Sequence, residues 1–301
     1  MKARLNLVLL IALFAAGCAT YAAYFTAYPI NEKKWTNEYA KKDFLLSSGV
    51  HMKYHDVGPK EGKTLLLIHG MGDSSRSWYL IGPDLLKEYR LIAPDLTGHG
   101  MSEHPNCCYA LDFYEQEIME LMENLKIEKA VVVGHDMGSF VAQRIAIDHP
   151  ERVEKLILIS SSDTGADNKE LDYVSGVVQT QKGPADPSFT AHWFSVTTVL
   201  PIPDPLKERV KTEREAISKD VWAGDVKIMM NGNPKDQLSK LTMPTMIMWG
   251  DKDHVFQQAD QDRLKAAIPN SQFKEYAGAG HTIQWEKPVE VVADVKAFVG
   301  Q

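Results

Sequence analysis

The feature that most constrains this chain is a rhythm. Apolar runs stopped by glycine or proline alternate with stretches of helical spacing. "TLLLIHG" (64–70), "YRLIAPD" (89–95), "AVVVG" (130–134) and "VEKLILIS" (153–160) are near-continuous. A strand with one wet face alternates. A continuous run is buried on both faces, as in a parallel sheet covered by helices. Between these runs lie "SSRSWYLIGPDLL", "LDFYEQEIMELMENL" and "SFVAQRIAIDHP", each predicted to be a helix. In the second, Leu111, Ile118, Leu121, Met122 and Leu125 share a face. Strands and helices alternating at this interval build βαβ units. "VHMKYHDVG" (50–58) alternates and predicts a strand with one open face.

The rhythm breaks near Ser162. From Thr164 to Leu241 there are several prolines, helical patterns and no strong strand. It resumes with the strand "PTMIMWGDKD", the helix "QQADQDRLKAAIP", the short strand in "SQFKEYAGAGH" and the helix "PVEVVADVKAFVG". The expected architecture is an α/β core over 44–163 and 242–301, with a mostly parallel central sheet flanked by helices. A helical cap over 164–241 is inserted into it. The 301 residues, 44% hydrophobic and 24% charged, suffice for one sizeable core. Net charge is −7 without a block of one sign, which argues against a nucleic-acid partner.

Residues 1–18 read as a leader rather than as part of the fold. Lys2 and Arg4 precede the apolar run "LNLVLLIALFAAG", which ends at Cys18. Ala15-Ala16-Gly17-Cys18 resembles a bacterial lipobox, in which the cysteine thiol is lipidated and becomes the new N-terminus. Ala15 departs from the leucine that box prefers. The alternative is an uncleaved anchor, because "CATYAAYFTAYPI" extends the run to about 25 residues, enough to span a bilayer. Either reading places the chain in a bacterial cell envelope, outside the cytoplasm and tethered to a membrane through residues 19–43. Cys107 and Cys108 are neighbours in a Pro-Asn turn. A ring between adjacent cysteines is strained, so they read as loop thiols and not as a disulfide framework.

One turn carries chemistry. In "VVVGHDMGSFVAQRIA" (131–146) a strand passes into a helix through Gly134-His135-Asp136-Met137-Gly138. So tight a turn strains its central residue and displays that side chain, and small residues two places to each side let the backbones pass. The unpaired N–H groups and dipole of the helix N-terminus favour an anion there. Asp136 is therefore expected to be ionised and nucleophilic, with plain helix capping as the competing reading. His51 and His55 lie four apart on a predicted strand. No third ligand accompanies them, so no metal is expected. No phosphate loop or dinucleotide fingerprint follows a strand, so no organic cofactor is expected.

Together, "LLLIHGMGDSS", "IAPDLTGHGMS", "VVVGHDMG", "MIMWGDKDHV" and "GAGHTIQWEKP" resemble the α/β-hydrolase family in order and placement. The resemblance covers nearly all the chain after the leader. It implies a triad in the order nucleophile, acid, histidine: Asp136, Asp253 and His281. Asp251 is nearer its strand end, but family spacing favours Asp253; Asp163 is a second candidate acid. The implied oxyanion donors are the backbone N–H groups of Met71 and Met137, with His69 shaping the first loop. Aspartate nucleophiles in this fold resemble those of epoxide hydrolases and of haloalkane or haloacetate dehalogenases. A carboxylate suits displacement at saturated carbon, because attack on an ester gives a reactive anhydride.

Neither subtype is complete in the sequence. Epoxide opening in that family uses two cap tyrosines, and this cap holds Tyr173 alone. Dehalogenation wants halide donors. Met137 stands where a tryptophan often does, leaving Trp193 and Trp222 of the cap as candidates. The arginine nearest the nucleophile, Arg144, is two turns down the helix. The leading expectation is an epoxide hydrolase-like enzyme for a small apolar organic substrate. A dehalogenase, an esterase-like enzyme of unknown substrate and a non-catalytic receptor using the pocket under the cap are the alternatives.

Overall fold

The computed structural model describes residues 40–181, 185–232 and 235–301. The leader, Cys18 and all but the end of the expected tether lie outside these residues. Eight strands form one sheet: β1 (Lys42–Leu45), β2 (His51–Val57), β3 (Thr64–Ile68), β4 (Arg90–Pro94), β5 (Ala130–His135), β6 (Val153–Ile159), β7 (Thr245–Gly250) and β8 (Gln272–Tyr276). Their spatial order is β1-β2-β4-β3-β5-β6-β7-β8. β2 runs antiparallel to β1 and to β4, and the other pairs are parallel. β5 is buried at all six positions and sits at the centre of the order, as its unbroken apolar run requires.

Two readings change. Strand β1 begins at Lys42, inside the expected tether; its KDFL sequence is too short and polar to announce a strand. The helix expected over "SSRSWYLIGPDLL" is a 3-10 turn, Ser75–Trp78, followed by the short α1 (Gly82–Leu85). Gly82 and Pro83 start the second piece, because proline fits only the first turn of a helix.

Helices cover both faces. α2 (Leu111–Asn124) buries Tyr114, Ile118, Leu121 and Met122, and α3 (Met137–Asp148) is buried along most of its length. Between β6 and β7 the chain makes α4 (Lys169–Thr180), α5 (Pro187–Thr197), α6 (Asp204–Ala216), α7 (Lys219–Asn231) and the short α8 (Lys235–Leu238), with no strand among the described residues. Asn168, Asp186 and Ser218 cap α4, α5 and α7 with side-chain acceptors, each contributing about 1 kcal/mol. After β7 come α9 (Gln258–Ala267), α10 (Ile283–Glu286) and α11 (Pro288–Gly300). None of the described helices is long and apolar enough to cross a membrane.

The insertion is fastened to the core partly by charge. On α7, Asp225 accepts from Tyr114 Oη at 3.0 Å and lies 2.8 Å from His99 Nε2, all three fully buried. Burial depresses the His99 imidazole, but the Asp225 carboxylate overrides it and raises its pKa. On α6, Arg214 Nη2 donates to Asp73 Oδ1 at 2.9 Å. Trp222 of α7 lies against Gly72, where an added Cβ would come 2.3 Å from the ring.

Candidate active site

Asp136 stands between β5 and α3 with φ 52° and ψ −124°. A non-glycine residue there costs roughly 1–3 kcal/mol and persists only where its surroundings enforce it. The enforcement is visible on both sides. A Cβ on Gly134 would come 2.4 Å from the Gly138 carbonyl oxygen, and one on Gly138 would come 2.3 Å from that of His69. The Asp136 N–H donates to the Ile159 carbonyl at 3.1 Å. Its side chain makes no capping hydrogen bond to α3, so helix capping does not account for the carboxylate.

Both carboxylate oxygens face defined groups. Oδ2 accepts from the Met71 N–H at 2.7 Å, and Oδ1 lies 3.0 Å from His281 Nε2. The other His281 nitrogen, Nδ1, lies 2.8 Å from Asp253 Oδ2. Asp253 is held in turn by the N–H groups of Val255 and Phe256, which donate to Oδ1 at 2.8 and 3.0 Å. Asp136, Asp253 and His281 are 2%, 5% and 1% exposed. A buried imidazole with a carboxylate on each nitrogen donates from both, as an imidazolium. Burial pushes the His281 pKa down, but the Asp253 charge and the Asp136 hydrogen bond carry it up to about 10. Burial raises Asp136, and the His281 hydrogen bond and charge reverse that, leaving its carboxyl below the ordinary range.

The competing acids stand elsewhere. Asp163 accepts from Arg263 Nε at 3.1 Å, and Asp251 accepts from the Gly278 N–H at 2.6 Å. His69 bonds the Leu96 N–H through Nε2 at 3.0 Å and its own loop's Gly70 carbonyl through Nδ1 at 2.9 Å. Burial and the nearby His99 depress it to about 3, so it stays neutral and shapes the loop. Arg144 pairs with Asp148 at 2.8 Å on the outer side of α3 and is not assembled with the triad.

The cap aromatics divide. Tyr173, a candidate cap contact, is 46% exposed and its ring rests on His192 at 4.6 Å, so it is a surface residue. Trp193 is 1% exposed, within the main apolar cluster. Trp222 packs edge-on to Phe189 at 4.9 Å and against Gly72, next to the oxyanion donor; its indole Nε1 is buried without a hydrogen-bond partner. His51 pairs with exposed Asp43 at 2.7 Å, while His55 is buried near the Tyr79 ring. Cys107 and Cys108 are exposed free thiols.

The sequence did not reveal what holds His281. Its carbonyl accepts from Ser160 Oγ at 2.6 Å and lies 3.1 Å from His135 Nε2, and its N–H donates to Thr197 at 3.0 Å. Ser160, just after β6, has φ 47°, a strained position that only the structure shows.

A family model described as the alpha/beta hydrolase fold matches residues 63–193 and 207–288. The chain belongs to this family. Lipase 3 of Moraxella sp. is 27% identical to it over 310 residues, covering 98% of this chain and 97% of the relative. Epoxide hydrolase 1 of Caenorhabditis elegans is 25% identical over 303 residues, covering 89% of this chain and 71% of the relative. Among solved structures, a meta-cleavage product hydrolase from Pseudomonas fluorescens superposes with a TM-score of 0.73 at 28% identity, over 86% of this chain and 97% of that one. The named activities differ, so the α/β-hydrolase assignment does not by itself choose a substrate.

Proposed function

We propose that this α/β hydrolase works through a covalent alkyl ester on Asp136, with epoxides as its substrates. The observation that carries the reading is the pair of contacts on one carboxylate: Oδ2 on the Met71 N–H and Oδ1 on His281. A serine in this turn would become an alkoxide and attack a carbonyl. A carboxylate is too weak a base for that and gives a stable ester only at saturated carbon. The epoxide hydrolase relative supports the substrate class.

The steps balance around His281. Asp136 Oδ1 attacks an epoxide carbon, the carbon–oxygen bond breaks and the ester forms. The departing oxygen leaves on the side opposite Oδ1 and takes a proton from water, and the hydroxide so formed takes the proton of the buried imidazolium. Losing that proton leaves a neutral imidazole oriented by Asp253. It then takes a proton from water, which attacks the ester carbonyl. Charge gathers on Oδ2, where the Met71 and Met137 N–H groups receive it. The ester bond breaks, the leaving oxygen takes the second proton of the attacking water, the diol leaves with the oxygen that attacked it, and Asp136 is again a carboxylate beside a protonated His281.

A second reading rests on Trp222. Its unpartnered indole N–H beside the oxyanion loop could receive a departing halide, so organohalides are the alternative substrates. Intact mass of a His281→Gln variant, incubated with an epoxide panel and a haloalkane panel, separates them. The change blocks ester hydrolysis and traps the adduct. An adduct from epoxides supports the first reading; one from haloalkanes with halide released supports the second. No adduct from either, with turnover of simple esters by the unaltered protein, refutes the alkyl-ester mechanism.

We also propose, from residues 1–18, that the chain is held at the bacterial envelope through Cys18 or an uncleaved anchor. Incorporation of labelled fatty acid that is lost in Cys18→Ser supports lipidation. Membrane retention without label supports the anchor, and a free protein contradicts both.

A further inference from the structure

We propose that Arg214, on the inserted segment, is a positioning residue for the oxyanion donor Met71. The inference rests on the reading of Asp136 as nucleophile. Met71 lies in a tight turn closed by the Asp73 N–H, which donates to the Gly70 carbonyl at 3.2 Å. The turn uses glycine twice. Gly72 has φ +72°, and a Cβ on Gly70 would come 2.7 Å from the Asp136 Cβ. Such a loop can shift. Two groups pin its far end, both through the Asp73 carboxylate: Ser77 Oγ donates to Oδ2 at 3.0 Å, and Arg214 Nη2 donates to Oδ1 at 2.9 Å. The serine comes from the adjoining 3-10 turn of the core, where its carbonyl accepts from Trp285 Nε1 at 2.9 Å. Arg214 comes from α6, 141 residues away, and ties the loop to a separate body.

Stability does not explain this pair. The Arg214 and Asp73 side chains are 2% and 3% exposed, and Arg214 Nε and Nη1 have no hydrogen-bond partner. A buried guanidinium that uses one of its nitrogens loses more hydration than it recovers. Replacing both members of such a pair with uncharged groups is often neutral or stabilising. What the pair does supply is location. Trp222 bears on Gly72, and Arg214 holds Asp73, the next residue. The insertion therefore grips the loop within two residues of the N–H that faces Asp136 Oδ2. A displacement near 1 Å of such a donor can cost on the order of 10²-fold in rate.

The test uses the full chain carrying Arg214→Met together with Asp73→Asn, so that no uncompensated buried charge remains. Arg214→Lys is the conservative comparison. The expected result is a thermal midpoint close to that of the unaltered protein, a kcat at least about tenfold lower, and an unchanged or lower KM. The aspartyl ester should also accumulate during turnover, because its hydrolysis needs the oxyanion donor most. A residue that merely supports the fold would lower the amount of active enzyme without changing the fraction held as ester. Lysine should restore part of kcat, since a single N–H makes the contact. Unchanged kcat and unchanged ester fraction in the double variant overturn the proposal. If the unaltered protein forms no ester but turns over simple esters, the nucleophile reading fails instead. The kcat of the same variants on those esters then decides the role of Arg214 alone.

Discussion

The turn at Asp136 and the inserted segment are held in different ways. Around Asp136 the core uses sterics: a positive φ, two glycines that admit no Cβ and a central strand with no exposed residue. The insertion joins the main apolar cluster through residues such as Val174, Trp222 and Met229, and adds two buried ionic contacts between distant elements, Asp225 with His99 and Arg214 with Asp73. Steric contacts fix a group to within tenths of an ångström and release it only by unfolding. The proposed nucleophile thus sits on a sterically locked turn, and the insertion places Trp222 and Arg214 beside the neighbouring loop at Gly72 and Asp73.

That contrast can be broken in graded ways. Asp136→Ala should abolish turnover, by about 10⁴-fold or more, while the protein still folds; retained turnover in a kinetic assay contradicts the nucleophilic role. Gly138→Ala should be the most destabilising change at the turn, about 3 kcal/mol by chemical denaturation, because its Cβ would come 2.3 Å from the His69 carbonyl oxygen and 2.4 Å from that of Ile68. A value near zero would show that the turn is not sterically locked. Asp225→Asn keeps the shape of the insertion's contact and removes its charge. It should cost about 1–3 kcal/mol and raise KM more than it lowers kcat; a change in kcat alone would place Asp225 in the chemistry.

Smaller effects sharpen the same division. The His281 pKa lies above its ordinary 6.5, so folding favours the protonated form. That contribution is complete below 6.5 and is lost as pH rises toward about 10. Thermal midpoints of the unaltered protein should therefore converge on those of His281→Gln across this window; parallel curves contradict the buried imidazolium. Tyr173→Phe should change kcat less than about twofold, as expected of an exposed side chain. A large loss would return the tyrosine to the site.

The parallel strands were legible because burial on both faces forces an unbroken apolar run, as in Leu65–Ile68 and Ala130–Val133. Asp136 was legible because a sharp strand-to-helix turn needs Gly134 and Gly138 around it. Three things were not. β1 has no apolar signature and is defined by pairing with β2. The break between Trp78 and Gly82 follows from Gly82-Pro83, which the spacing of apolar residues alone does not report. The pairs Asp225–His99 and Arg214–Asp73 join residues 126 and 141 apart, and no local spacing encodes such a meeting. Cap aromatics were ambiguous for the same reason: Tyr173 and Trp222 read alike in sequence, and the fold turns one outward and one onto the oxyanion loop.

The most direct test of the alkyl-ester account is where oxygen from water goes in a single turnover. With enzyme in excess over an accepted epoxide or haloalkane in H₂¹⁸O, water attacks the carbonyl carbon of the Asp136 ester. The heavy isotope should then appear in the peptide containing Asp136, and the first product should carry an oxygen taken from the enzyme. Label in the product with none in that peptide would mean that water attacks the substrate directly, contradicting the role assigned to Asp136.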